Sequence, residues 1–459
     1  MEADLRKGAR MISSADRIRI VSHIDADGIT SAAIAAMTCK RLGKDYEVVF
    51  ASKLSEDVIE RINAYEDGLV WITDLGSGYL SEFTKDPMVI TDHHVPDPKW
   101  RKGQTFLDAF IDILQINPHC YGMDGSTEAC GATMTYLLAR EIDPENTELA
   151  YLAVVGACGD IQDTSDEGLI GLNTEPLWDA VDRGDVAVDT DLRLFGRETR
   201  TLIQFLQYSD PRIPGLGDEP NECAKFLESL KIDLRDGGRS RSWNDLSEEE
   251  KERVRSSIMD RLSEDDRRRA VGPTYRIIKY PRHSEIRDAK EFATVLNSCG
   301  RYDDAATGLR ICMGDMDAIE RAKKNRLEHR RNISAALALI KENNMVRMRR
   351  SIMYFDAGSQ IRDTVVGIVA GMLLNSEGFR RDMPIIAFAD SDDGVKVSAR
   401  ADKSLVRKGL DLASIMKIAA EVVGGYGGGH NIAAGATIPR GKEEQFLDAV
   451  DDMVLAQLI

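Results

Sequence analysis

Along the first third of the chain, short apolar or β-branched runs alternate with stretches whose apolar residues return at helical spacing. Residues 18–22, 47–51, 69–73 and 88–91 read as buried strands, and 29–42, 56–65 and 79–84 as helices with one apolar face. That succession predicts an α/β fold class with a parallel sheet and right-handed crossovers. Every predicted strand but the second ends in a polar cluster: His23-Ile24-Asp25-Ala26-Asp27-Gly28, then Asp74, then Asp92-His93-His94. In an open α/β sheet the carboxyl ends of the strands line the ligand crevice, so these clusters are expected to converge in space. Helices at 132–140 and 148–158 then lead into Gly159 and Asp160.

From about 173 to 274 the texture changes to charged, helix-favouring sequence with loops at 211–220 and 236–242. Residues 248–269 are so densely charged that they can bury only a narrow apolar stripe. This stretch reads as a largely helical insertion. Helical pattern resumes at 289–296 and 318–343, and a second α/β segment follows, with strands at 352–355, 384–389 and 395–399 and helices at 365–374 and 412–422. A glycine-rich run, 424–429, comes next. The expected organisation is a first α/β domain over 1–172, the insertion over 173–274, a helical return and linker over 275–350, and a smaller α/β domain over 351–459.

Composition narrows the picture. The 459 residues exceed what one core usually organises, and no stretch approaches the roughly 20 apolar residues of a membrane-spanning helix. Met1 to Arg10 carry charge without an apolar segment of secretory-signal length, so the expected location is cytoplasmic, with no membrane partner. The seven cysteines are odd in number and contain no C-x-x-C pair, which reads as reduced thiols. A net charge of -17 argues against a broad basic surface for duplex DNA. Any nucleic-acid contact is therefore local. One candidate is 321–350, where ten Lys and Arg stand against Glu328 and Glu342; the plainer alternative is a solvated helix face.

The polar clusters carry the chemistry. His23, Asp25 and Asp27 alternate at spacing two, Asp74 and His93 follow later strands, and Asp160 closes a helix. Carboxylates mixed with imidazole suit Mn²⁺, Mg²⁺ or Zn²⁺, and several carboxylates without a thiolate favour the harder ions. Six such groups can hold two ions, and a carboxylate shared between them sets a spacing of about 3.5 to 4 Å that suits phosphoester hydrolysis. Taken singly, each residue has a plainer role as a structural histidine, a polar turn or a helix cap. The conjunction decides: three of the seven histidines stand at predicted strand ends within two residues of an aspartate. Gly28 fits a place where the backbone passes close to metal or phosphate, or a tight turn.

The blocks Ser22-His23-Ile24-Asp25-Ala26-Asp27-Gly28, Thr73-Asp74, Asp92-His93-His94 and Gly156-Ala157-Cys158-Gly159-Asp160 resemble, in order, the four motifs of the DHH phosphoesterases. The resemblance implies that His23, Asp25, Asp27, Asp74, His93 and Asp160 hold two divalent metal ions, Mn²⁺ by preference and Mg²⁺ as an alternative. It further implies that Asp74 bridges the ions and that His94 lies against the scissile phosphate, which makes these two the catalytic residues. Asp163 is a second candidate for the last ligand; the apolar run 153–155 leading into Asp160 favours the latter. Bacterial RecJ nucleases more often carry an acidic residue where His23 stands, and a histidine there is similar to other branches, the family II pyrophosphatases included. Asn117-Pro118-His119 resembles the Asn-Pro step of RecJ-like members, which puts His119 near the site.

Toward the other end, Gly427-Gly428-Gly429-His430-Asn431-Ile432-Ala433-Ala434-Gly435 resembles the GGH...AAG motif of the DHHA1 domain. Alone, a glycine run before a histidine reads as a hinge. The resemblance implies that Gly428, Gly429 and His430 cradle a substrate phosphate through backbone N–H groups. Val397-Ser398-Ala399-Arg400 is similar to the family's Gly-Ser-Ala-Arg strand, with Val397 departing from it. Arg400 would then hold a phosphate bidentately, where the plain alternative is a surface salt bridge. Glu291-Phe292-Ala293-Thr294-Val295-Leu296-Asn297 is similar to archaeal RecJ-like proteins in particular, in which a helical insertion contacts the GINS complex. The expected function is thus a RecJ-like exonuclease on single-stranded DNA or RNA, linked to replication and repair through GINS. The alternatives are a hydrolase of short oligonucleotides or small phosphorylated molecules, and a replication scaffold. Chain length and the insertion favour the first reading, and the complete ligand set weighs against the scaffold.

Overall fold

The computed structural model describes residues 1–99, 112–217, 219–376 and 378–458, and the chain divides into two compact units, Met1–Lys323 and Lys324–Ile459. The first unit begins with α1 (Glu2–Ser14), followed by β1 (Arg17–His23), α2 (Ala26–Arg41), β2 (Asp45–Ala51), α3 (Glu56–Asn63), β3 (Leu69–Thr73), β4 (Met88–Thr91), β5 (Ile113–Ile116), α4 (Gly131–Ile142) and α5 (Ala150–Gly159). The five strands form a wholly parallel sheet in the order β2-β1-β3-β4-β5. β3 and β4 are buried at every residue, as parallel strands covered on both faces must be. One face packs on α1, α2, α4 and α5 through residues such as Ile12, Ile29, Tyr136 and Leu152; the other packs on α3, Leu80 and Phe83.

From β1 the chain turns one way to β2 and then crosses back to β3. The switch point therefore lies between β1 and β3, where an open α/β sheet opens its crevice. The sequence pattern misses β5, a four-residue strand with one polar position. It also reads 79–84 as a helix, whereas Ser77–Glu82 is a short 3₁₀ segment entered through Gly76 at φ +103°.

After α6 (Thr174–Asp182) comes the insertion. Its base is an antiparallel ribbon of β6 (Val186–Leu192) and β9 (Val271–Ile277), registered from Val186 against Ile277 to Leu192 against Val271. Between them lie α7 (Leu202–Gln207), α8 (Pro220–Ser229), a small hairpin of β7 (Arg235–Asp236) and β8 (Arg239–Ser240), α9 (Glu248–Met259) and α10 (Glu264–Ala270). These enclose a separate core in which Phe205 stacks on Trp243 with ring centroids 5.2 Å apart. The ribbon is strand where the sequence pattern gives helix and loop, because Asp189, Asp191 and Pro273 obscure its alternation. α11 (Ala289–Arg301) and α12 (Ala305–Cys312) return to the first core, and α13 (Asp317–Glu342) carries the boundary between units.

The second unit is built on a mixed sheet of β10 (Arg347–Met348), β11 (Met353–Asp356), β12 (Ile385–Ser391), β13 (Gly394–Arg400), β14 (Tyr426–Gly429) and β15 (Ala433–Ile438), in the order β10-β11-β12-β13-β15-β14. α14 (Asp363–Leu374) packs on one face, while α16 (Leu412–Val422) and α17 (Glu443–Leu458) pack on the other; α15 (Lys403–Arg407) follows β13. The glycine run is part of an edge strand rather than a loop. A Cβ on Gly427 would lie 2.5 Å from the Met416 carbonyl oxygen, so α16 rests directly on the strand's backbone and no apolar alternation marks it in the sequence. None of the described helices is long and apolar enough to cross a membrane.

Candidate metal centre

A tight turn hands β1 over to α2. Asp25 is the N-cap of α2 and accepts the Gly28 N–H at 2.9 Å through Oδ1, which leaves Oδ2 2.9 Å from His23 Nδ1. A Cβ on Gly28 would sit 2.3 Å from the His23 carbonyl oxygen. The turn's own backbone therefore accounts for this glycine.

Asp27 points the other way and is 1% exposed. Its oxygens accept the N–H groups of Gly131 and Ala132, the first residues of α4, at 2.6 and 2.9 Å, where the positive end of a helix favours a carboxylate. Glycines let the helices close on these carboxylates: a Cβ on Gly131 would meet Asp74 Cβ at 2.6 Å, and one on Gly156 would meet Asp27 Oδ1 at 2.6 Å.

Asp74 leaves β3 at φ +57°, a left-handed conformation uncommon outside glycine, with its N–H on the Thr91 carbonyl at 2.8 Å. The Thr73 hydroxyl donates to that of Ser22 at 2.7 Å and ties β3 to β1. The Asp74 carboxylate is divided: Oδ2 lies 3.6 Å from His23 Nδ1, and Oδ1 lies 3.3 Å from His93 Nε2. His93 Nε2 is also 3.2 Å from Asp160 Oδ2 and 3.8 Å from Asp27 Oδ2. Its Nδ1 is 2.6 Å from the Gly125 carbonyl oxygen, which can only accept; Nδ1 therefore carries hydrogen and the Nε2 lone pair of a neutral ring faces three carboxylates. Such an arrangement needs a proton or a cation among its members. Asp74 Oδ1 and His23 Nδ1 are buried with close neighbours but no hydrogen bond of acceptable geometry.

Three donor groups result among the described residues: His23, Asp25 and Asp74; Asp27, His93 and Asp160; and Asp74, Asp92, His93 and His94, which overlaps the other two, with the donor atoms of each within 4.8 Å of one another. Carboxylate oxygens with imidazole and no thiolate fit Mn²⁺ or Mg²⁺. All six residues singled out in the sequence are thus brought together. Asp163 is not among them; it is buried, 2.8 Å from Lys290 Nζ.

Crowding shows in the acidities. Burial, against the pull of His93, pushes Asp160 up to about 7, and burial with the charges of Asp74 and Asp160 raises Asp27 well above the ordinary carboxylate range. Burial also opposes ionisation of Asp74, yet the adjacent imidazoles of His23 and His93 outweigh it and hold this carboxyl well below its usual value. His23 and His93 are raised well above an ordinary histidine, because their aspartate neighbours overcome the opposing effect of burial.

His94 stands apart from the buried donors. Its side chain is 54% exposed, and its Nδ1 lies 2.7 Å from Asp92 Oδ1. Asp92 also accepts the N–H of His93 at 2.7 Å and of Ser77 at 2.8 Å, and the His94 ring overcomes burial to bring its acidity to about 2. It overlaps the donor cluster, but its oxygens are committed to positioning the loop. Asn117 extends that support by donating to the Ser77 hydroxyl and the His94 carbonyl. His119 lies within reach, its Nε2 2.9 Å from where a Cβ on Gly125 would be.

In the second unit, Arg400 ends β13 opposite Ala433, and Ala401 N–H bonds the Ile432 carbonyl at 3.0 Å, so Arg400 stands beside the turn that carries His430. Gly367 leaves room for the guanidinium: a Cβ there would lie 2.7 Å from Arg400 Nη2. His430 is exposed, but its N–H is taken by the Ala433 carbonyl at 2.9 Å. Its backbone N–H is thereby withdrawn from the cradle that the motif implies. Gly428 and Gly429 pair with Gly435 and Ala434 in the edge ladder, and nothing lies within 4 Å of where a Gly428 Cβ would stand. The basic stretch 321–350 is partly neutralised. Arg349 pairs with Glu444 and Asp448, Arg350 with Asp451 and Asp452, Arg321 with Asp304 and Lys323 with Glu320; the side chain of Arg326 lies outside the described residues.

Sequence reasoning missed the residues that hold the donors: Gly125, Gly131 and the positioning role of Asp92. The same is true of Asn297 on α11, which accepts the Ala26 N–H at 2.8 Å. A glycine such as Gly131, directly after a cysteine, has no chemistry of its own, and only the fold reveals what it makes room for.

Comparison with known proteins gives three family profiles along the chain: DHH family, N-terminal domain over residues 17–157; DHH-CID domain over 194–269; and DHHA1 domain over 325–456. A protein of Methanocaldococcus jannaschii described as uncharacterized is 31% identical over 452 residues, which are 96% of this chain and 94% of that one. The single-stranded-DNA-specific exonuclease RecJ of Salmonella typhimurium is 23% identical over 482 residues, 95% of this chain and 66% of that protein. Among solved structures, RecJ from Thermus thermophilus in complex with Mn²⁺ superposes with a TM-score of 0.59 at 18% identity, covering 99% of this chain; the chain spans 55% of that one. CDC45 from Entamoeba histolytica gives 0.66 at 12% identity, with 99% and 98% covered. These structural likenesses concern the fold. With the three domains in this order and a full-length relative above 30% identity, the chain belongs to the DHH family.

Proposed function

We propose that this chain is a metal-dependent phosphodiesterase that degrades single-stranded nucleic acid from an end. The divided Asp74 carboxylate carries the reading: one oxygen faces His23, its partner in one donor group, and the other faces His93, which belongs to the second. Two divalent ions, Mn²⁺ by preference or Mg²⁺, fit that arrangement, with His23, Asp25 and Asp27, Asp74, His93 and Asp160 as ligands. Ions bound there would acidify a water and draw charge from phosphate oxygens.

The chain's own groups do the rest. Asp74 fixes the spacing of the two sites, and Asp27 keeps its place on the α4 N-terminus. His94, exposed and pinned by Asp92, donates to a phosphate oxygen of the substrate. Arg400, the imidazole of His430 and the backbone at Gly428 and Gly429 grip a phosphate of the strand. The single-stranded-DNA-specific exonuclease activity of the Salmonella relative supports a single-stranded substrate, with DNA and RNA both admitted. The sequence resemblance of residues 291–297 to archaeal RecJ-like proteins favours a replication partner such as GINS at the insertion, for which co-elution with purified GINS is the check.

The test is digestion of end-labelled single strands of DNA and RNA by the full chain in Mn²⁺, in Mg²⁺ and in excess EDTA. Stepwise shortening in Mn²⁺ that stops in EDTA is expected. Undiminished digestion in EDTA would overturn the metal reading. Hydrolysis of dinucleotides alone would replace the strand by a short oligonucleotide as substrate.

A further inference from the structure

α11 is remote in sequence from every donor of the metal centre, yet it lies across the turn that carries two of them. Three of its residues, at spacing i, i+4 and i+7, share one stripe and meet that turn. Ala293 Cβ is 3.6 Å from where a Cβ on Gly159 would stand, a position that also abuts Ala26. Asn297 Oδ1 accepts the Ala26 N–H at 2.8 Å. Gly300 passes so close that a Cβ on it would sit 1.8 Å from the Ile24 carbonyl oxygen. The Ala26 N–H is a first-turn donor with no partner inside its own helix. Ala26 is also the single residue between Asp25 and Asp27, so the bond to Asn297 fixes the peptide that joins Asp25 to Ala26, one residue ahead of Asp27.

The other end of α11 is anchored in the insertion. Asp288, its N-cap, forms a buried ion pair with Arg197, and the carboxylate of Glu291, 0% exposed, accepts the Glu198 N–H at 2.8 Å and the Thr199 hydroxyl. From Glu291 to Gly300 the helix advances about 14 Å at 1.5 Å per residue. A strut of that length joins the insertion to the metal-bearing turn.

We propose that Asn297 is a positioning residue for the metal centre, setting Asp25 and Asp27 through the Ala26 peptide, with α11 held in place by Glu291 at the base of the insertion. The proposal rests on the metal reading above. Residues that orient metal ligands from behind are worth about 10- to 100-fold in metal affinity when removed.

The experiment is titration of metal-free full chain with Mn²⁺ by calorimetry, together with its thermal midpoint, for the unsubstituted protein, Asn297→Ala, Asn297→Asp and Glu291→Gln. Asn297→Ala is expected to bind Mn²⁺ about 10- to 100-fold more weakly while still unfolding cooperatively. Asn297→Asp, which keeps the acceptor oxygen, is expected to recover most of that loss, and Glu291→Gln to lose less than Asn297→Ala. A lowered midpoint in Asn297→Ala with unchanged Mn²⁺ affinity would overturn the positioning role and leave the metal reading standing. Failure of the unsubstituted chain to bind Mn²⁺ would overturn both.

Discussion

The two ends of this chain handle charge in opposite ways. At the switch point of the parallel sheet, acidic groups are packed against one another, buried, and held by backbone N–H groups and histidines. On the mixed sheet of the second unit, Arg400 stands beside an exposed hairpin whose backbone is open on one edge. The difference is what the proposed function requires of each. A divalent ion repays the cost of crowding carboxylates only if their geometry is fixed beforehand, whereas a phosphate on a flexible strand is met by a long guanidinium and an accessible edge.

The strongest way to break this contrast is Asp74→Ala. It removes the carboxylate that faces a histidine of each donor group, and cleavage of a labelled single strand should fall by at least about 1,000-fold, because bound metal is worth several kcal/mol at the transition state. Normal turnover would show that the division of the Asp74 oxygens has no catalytic meaning.

Arg400→Ala should weaken binding of a single strand by about 10- to 100-fold, the cost of losing a charged hydrogen bond, with Mn²⁺ affinity unchanged. Strand affinity by fluorescence anisotropy, paired with Mn²⁺ titration, checks the separation. Loss of bound metal in this variant would merge the two regions that the account keeps apart.

A pH series sharpens the same contrast. In the metal-free protein Asp27 and Asp160 keep protons that the unfolded chain gives up near pH 4, so their contribution to stability declines as pH rises from there, that of Asp160 until about 7. His23 and His93 act in the same direction, since their raised values favour the folded state below about 6.5 and that advantage is lost as pH climbs through them. The lowered Asp74 works oppositely, but its effect is lost only in acid. The thermal midpoint in EDTA should therefore fall between pH 5 and 8, and Mn²⁺ should bind more tightly over that range as it displaces protons. A midpoint that rises with pH in EDTA would mean the cluster is not crowded as described.

The smallest effect is expected at Arg350→Ala. This residue lies in the most basic stretch of the sequence, but Asp451 and Asp452 on α17 already engage it. Strand affinity should change by less than about threefold. A loss comparable to that at Arg400 would restore the stretch as a nucleic-acid contact.

What was legible in the sequence follows the same divide. His23, Asp74 and His93 could be read because polar residues that end buried strands are rare and their chemistry is specific, and the strand-end rule brings them together without a structure. β5 and the β6–β9 ribbon could not, the first being too short and the second interrupted by Asp189, Asp191 and Pro273. Nor could Gly131 or Asn297, because a glycine that admits a carboxylate and an amide that accepts a single N–H act through positions set by packing. The hairpin at Gly428 and His430 was recognisable as a motif but not as a strand, since residues without side chains leave no alternation to see.

In the proposed function, Asp74 joins two metal sites. Metal-free full chain titrated with Mn²⁺ by calorimetry, with bound metal counted after gel filtration, tests it most directly when repeated on Asp74→Ala. Two ions per chain in the unsubstituted protein, and weakening at both sites in the variant, is the predicted result; a single ion in the unsubstituted chain, or two ions held undiminished after Asp74→Ala, would contradict it.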